Sequence, residues 1–113
     1  MSIQSNTYVL VGVKLDYDHF TEEQFDDLDD YRDSAYDGAC HHNGLSLIED
    51  GMNGEYCFIG RVLAKSIDAD GEGLPITECT VTAGLRAEVS DLLVEHFELS
   101  EPDVRLWAFT HYR

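Results

Sequence analysis

The sequence predicts an α+β domain: a four-stranded antiparallel sheet with two helices on one face, built in the order strand, helix, strand, strand, helix, strand. Three observations carry this. Four apolar, β-branched segments of strand length recur along the chain, at residues 7–15, 44–50, 55–67 and 104–112. Two segments carry apolar residues at 3.6 periodicity, behind Thr21 and across residues 82–99. Length is the third: 113 residues, 43% of them apolar, suit one domain with one sizeable core over residues 1–113.

The first strand reads from the run TYVLVGVKL, residues 7–15. Thr21 is placed as an N-cap with Gln24 three residues on, a capping box, and Phe20 and Phe25 stand at the two staple positions. Phe25, Leu28, Arg32, Ala35 and Tyr36 form the inward arc of a helix that Gly38 closes, with Glu22, Asp26, Asp29, Asp30, Asp33 and Asp37 on the opposite arc. GLSLIED and EYCFIGRVLAKSI, around the turn residues 51–54, predict a hairpin. Leu85, Val89, Leu92, Leu93 and Phe97 form the stripe of a second helix, which Ser100, Glu101 and Pro102 end; VRLWAFTHY is the last strand. This βαββαβ order resembles the ferredoxin-like split βαβ, a superfold that carries no function with it.

Strand alternation assigns a second face, away from the helices. Tyr8, Leu10, Gly12 and Lys14 fall there from the first strand, and Arg105, Trp107, Phe109 and His111 from the last. On the long strand, Tyr56, Phe58, Val62 and Ala64 make the better core set, which leaves Cys57, Ile59, Arg61, Leu63 and Lys65 outside. The expected open-sheet interface is therefore Tyr8, Leu10, Ile59, Arg61, Arg105, Trp107 and Phe109. An apolar patch of that kind implies a homodimer formed sheet to sheet. RNA stacking on such a face is opposed by the charge and by the lack of an RNP1-like string.

Charge is the strongest compositional signal. The net charge is −16, from 23 acids and 7 bases, and residues 16–37 hold ten carboxylates against Arg32 alone. That field repels nucleic acid and anionic membranes and attracts basic protein surfaces. Asp is a poor helix former, and like charges at i,i+4 cost about 0.2–0.5 kcal/mol per pair, so the cluster implies a use. The expected partner-binding residues are Glu22, Glu23, Asp26, Asp27, Asp29, Asp30, Asp33 and Asp37. Carboxylates spaced along a helix approximate the phosphates of a nucleic acid strand. In composition the chain resembles the small acidic inhibitors that phages and mobile elements direct against nucleases and CRISPR effectors.

Other patterns fall short of a site. Residues 68–73, DADGEG, follow the front of a calcium loop, but Pro75 and Cys79 occupy positions the loop needs otherwise. Cys40, His41 and His42 lack a second ligand pair for zinc. His19 and His111 do not form two His-x-Thr motifs, and no nucleophile elbow or phosphate loop exists. Three cysteines at unrelated spacings fit reduced thiols in a cytoplasmic protein, and neither a signal peptide nor a membrane span is readable. The sequence thus points to a non-enzymatic, cofactor-free protein with a basic partner, a nuclease or effector complex. The alternative is a homodimeric module that binds a small ligand at the open sheet or the dimer interface.

Overall fold

The computed structural model describes residues 5–32, 42–50, 54–67 and 81–112. Strand β1 spans Ser5–Asp16, helix α1 Glu22–Asp27, β2 Ser46–Glu49, β3 Tyr56–Ile67, helix α2 Ala83–Phe97 and β4 Arg105–Tyr112. The strands form one sheet in the order β2-β3-β1-β4, and all neighbours are antiparallel. The protein is therefore a mixed α+β domain with a four-stranded antiparallel sheet.

Local chemistry explains the helices. The Thr21 backbone N–H donates to Gln24 Oε1 at 2.8 Å and the Gln24 N–H donates to Thr21 Oγ1 at 3.2 Å, a closed capping box. The predicted first helix nevertheless stops at Asp27, far short of Gly38. A 3₁₀ turn at Asp29–Tyr31 follows, and Arg32 is extended, in a parallel bridge with Leu47. Continuing the helix would stack Asp30 on Asp26 and add further Asp, each a poor helix former. The chain instead turns Tyr31 inward, 4.7 Å from the rings of Phe97 and His42. Ala35, Tyr36 and Gly38, the rest of that predicted arc and its stop, lie outside the described residues, as do the first three of the turn residues 51–54. Helix α2 starts at an N-cap, Thr82, whose hydroxyl accepts from the Leu85 N–H at 3.0 Å. It ends where Glu98 takes a left-handed conformation, φ 56°.

Both helices share one core. Phe25 of α1 and Val89, Leu93 and Phe97 of α2 pack with Val11, Val13, Leu47, Cys57 and Ile59. Burying each of these large side chains contributes about 1.5–3 kcal/mol. On β3 the expected facing is reversed. Cys57 and Ile59 turn toward the helices, and Tyr56, Phe58 and Val62 turn to the second face. Both faces of β3 are buried and both alternating sets are apolar, so hydrophobicity does not choose the register. The excluded charge, Arg61, is accommodated on the helix side. It pairs with Glu88 of α2 at 3.1 Å and donates from Nε to the Gly44 carbonyl at 3.2 Å. A bulge opposite Val9 and Leu10 then leaves Leu63 unpaired and returns Lys65 to the second face, where its ammonium lies 5.2 Å from the Tyr8 ring centre.

The second face closes on itself. Phe58 is paired with Lys14 and Phe109 with Tyr8, six residues apart along β1. On a flat strand that is ~20 Å. The two rings are instead stacked at 3.8 Å. The sheet must bend sharply between the two positions, and Gly12 and Gly60 stand there as a cross-strand pair. A Cβ on Gly12 would collide with the Ile59 carbonyl oxygen, and one on Gly60 with that of Val11. Paired glycines permit the close backbone approach that the corner needs.

Candidate partner-binding surface

Eight successive acids, Asp16, Asp18, Glu22, Glu23, Asp26, Asp27, Asp29 and Asp30, are all exposed. The reason is the local pattern: Phe20, Phe25 and Tyr31 enter the core, so the intervening positions point outward. Asp33 and Asp37 lie outside the described residues. Arg32 is the base within this stretch, and its guanidinium is taken up by Asp29 at 3.4 Å and Glu49 at 3.2 Å. Asp18, Glu22 and Asp26, with Arg32, Glu49 and Tyr17, line an open groove of about 550 Å³.

The negative surface reaches further than the sequence cluster. A smaller depression of about 170 Å³ lies between α1 and the end of α2, lined by Asp27, Glu95, Glu98, His96 and Gln24 among others. Glu95 and Glu98 were not legible as part of the surface, since they stand some seventy residues away in the chain. Their alternation with Phe97 and Leu99, both buried, was the available signal.

The residues expected at an open sheet interface divide. Tyr8 and Leu10 are on the second face but buried within the chain, at 0% exposure. Trp107 and Phe109 join them, half-buried, and the Trp107 indole N–H donates to the Gly12 carbonyl at 3.2 Å. Arg105 is exposed and held by Asp103 at 2.7 Å. Ile59 and Arg61 sit on the opposite, helix-covered side. The aromatic layer is therefore mostly an internal second core. At its rim, Lys14, His19, Arg105 and Trp107, with Leu15 and Leu99, line a groove of about 500 Å³.

The other sequence patterns do not assemble into a reactive centre among the described residues. His19 is exposed and its ring meets Phe20 edge-on at 4.8 Å, whereas His111 is 3% exposed. Cys57 is buried, and burial together with the Glu49 carboxylate pushes its thiol up to about 12, so it is a poor nucleophile at neutral pH. His42 is exposed and packs on Tyr31; Cys40, His41, Cys79 and the loop at residues 68–73 lie outside the described residues. No group of three His, Cys, Asp or Glu that could hold a metal ion occurs among the described residues, and no helix there is long and apolar enough to cross a membrane. What the surface offers is fixed negative charge on a folded support. Neither a protein-family model, nor a curated protein, nor a solved structure matches this chain.

Proposed function

We propose that this is a small, acidic, non-enzymatic cytoplasmic protein that occupies a basic, nucleic-acid-binding surface of another protein and so inhibits it. We read the domain as ferredoxin-like. The strand order β2-β3-β1-β4 with antiparallel neighbours supports that reading, as do two helices sharing one core. The observation that carries the function is the unbroken exposure of eight successive acids, continued by Glu95 and Glu98 of α2 and met, among the described residues of that stretch, only by an Arg32 that is already paired. Such a surface steers toward Arg and Lys and pairs with them at the rim of a basic groove. It also repels nucleic acid and anionic lipid, which makes either an unsuitable direct ligand.

The test is competition. The chain is titrated into a basic nucleic-acid-binding domain holding labelled duplex DNA, across a salt series. The unmodified chain displaces the duplex, and its affinity falls steeply with salt. Changing the groove carboxylates, Asp18→Asn, Glu22→Gln and Asp26→Asn, weakens the binding and flattens the salt slope while Asp29 still holds Arg32. Unchanged affinity and slope in that variant would make the acids an ordinary solvated surface.

A second reading draws on the rim groove, where Lys14 and Trp107 stand over apolar Leu15 and Leu99, with Glu101 and Asp103 also in the lining and Arg105 paired to Asp103. A groove of about 500 Å³ with charges of both signs suits a small aromatic zwitterion. Stabilisation of the unmodified chain by such a compound, lost in Lys14→Met, would favour it over the inhibitor reading.

A further inference from the structure

We propose that the outer edge of β4 pairs with the same edge of a second copy of this chain, joining two sheets into one. The two edges of the sheet are managed differently. β2 has four residues, ends in Glu49, and is bridged at Leu47 by Arg32. β4 has eight residues and, among the described residues, its strand pairing is with β1 alone, while the His111 side chain at its far end meets the Glu49 carbonyl of β2, outside the five residues 106–110. It contains no proline and no carboxylate, and the charge of Arg105 is taken up by Asp103. A long edge without such guards is a template for another strand. None of residues 105–111 belongs to the core beneath the helices. Leu106 is 44% exposed there, and Ala108 and Thr110 are exposed beside it.

Charge selects the occupant. A basic partner is drawn to the acidic helical layer, not to this strand. A second copy also carries −16, so it docks only where its acids stay remote, and residues 104–113 hold none. Strand parity fixes the register. Antiparallel partners share a face, so a two-fold axis at Ala108 sets Leu106 against Thr110 of the second copy and Trp107 against its Phe109. That arrangement extends the aromatic layer across the junction. Five residues of edge pairing bury less than a standard interface, so the dimer is weak and is populated at roughly 100 μM and above.

Salt separates this contact from binding through the acidic surface. Two −16 bodies repel, and screening at ~0.5 M salt lowers that cost, so dimerisation strengthens as salt rises. Sedimentation equilibrium from ~5 to 500 μM, at low and high salt, spans the range expected for such an interface. The expected result is a dimer that grows with concentration and salt, and an Ala108→Lys variant at least tenfold weaker. Val94→Lys, on α2, at the other exposed large apolar residue among the described residues, dimerises as the unmodified chain does. Ala108 is exposed, so Ala108→Lys is expected to fold, which circular dichroism checks. A monomer at the highest concentration in high salt overturns the proposal. So does an Ala108→Lys variant that dimerises normally, or dissociation by Val94→Lys, which would move the contact to α2.

Discussion

The Nε2 of His111 lies 2.7 Å from the backbone carbonyl oxygen of Glu49, which links the strands at the two opposite edges of the sheet. A carbonyl only accepts, so Nε2 carries the proton. The link is possible because the sheet bends at Gly12 and Gly60 and brings Tyr56 and Tyr8 edge-on to the imidazole, at 6.3 and 6.4 Å. His111→Phe keeps a ring in the aromatic layer and removes the donor. The expected loss is about 1–2 kcal/mol, the cost of leaving a partly buried carbonyl unsatisfied. It shows as a lower urea midpoint with an unchanged slope. An unchanged midpoint would mean that the contact is incidental to the closure.

The same corner makes a second prediction. Gly12→Ala places a methyl group against the Ile59 carbonyl, and backbone cannot step aside as a side-chain tip can. The expected cost is about 2–4 kcal/mol, larger than typical overpacking because both sides of the clash are main chain. Gly60→Ala meets the mirror obstacle at Val11. The double variant should cost less than the sum, since one relaxed corner serves both. Full additivity in denaturation would show that the two glycines do not share one bend.

These positions also mark what the sequence reveals and what it hides. The capping box at Thr21 and the stripe of α2 are legible because polar or charged residues set off one side of each. On β1 Lys14 marks the second face, although Tyr8 and Leu10 there are fully buried, and on β4 the set with Trp107 and Phe109 is legible while Leu106, Ala108 and Thr110 opposite it are exposed. On β3 that contrast is missing. Arg61 looked like the outside of the strand, and only Glu88 and the Gly44 carbonyl, neither nearby in sequence, make its inward placement tolerable. The end of α1 at Asp27 follows from Asp repulsion, a cost visible in the sequence but given too little weight against the 3.6-residue arc. Glu95 and Glu98 join the acidic surface through tertiary packing alone.

Arg61 separates ion pairing from hydrogen bonding. Glu88 is 58% exposed and Arg61 25%, so water screens most of the attraction between them. Glu88→Gln is expected to cost no more than about 0.5 kcal/mol. Arg61→Met should cost about 1–2 kcal/mol, because it also strands the Gly44 carbonyl, where the backbone is left-handed at φ 75°. A double-mutant cycle resolves this. Equal costs for the two single changes would assign the stabilisation to the ion pair instead.

Cys57 gives the pH dependence. Its thiol is 0% exposed beneath the helices, paired across the hairpin with Glu49. Burial first, and the Glu49 charge second, raise it from 9.0 to about 12. A raised value means that the folded state holds the proton that the unfolded chain releases. The stability from this residue is therefore intact below pH 9 and is lost as pH rises toward 12. At ~1.4 kcal/mol per pH unit, the loss by pH 10.5 is about 2 kcal/mol. Cys57→Ala removes the titration at the cost of a small cavity, about 1 kcal/mol. The variant should thus be less stable than the unmodified chain at pH 7 and equal or more stable at pH 10.5. Every other group is common to both proteins, so the difference between the two isolates Cys57. A stability gap that stays constant between pH 7 and 10.5 would show that the thiol ionises as freely in the folded chain as in the unfolded one.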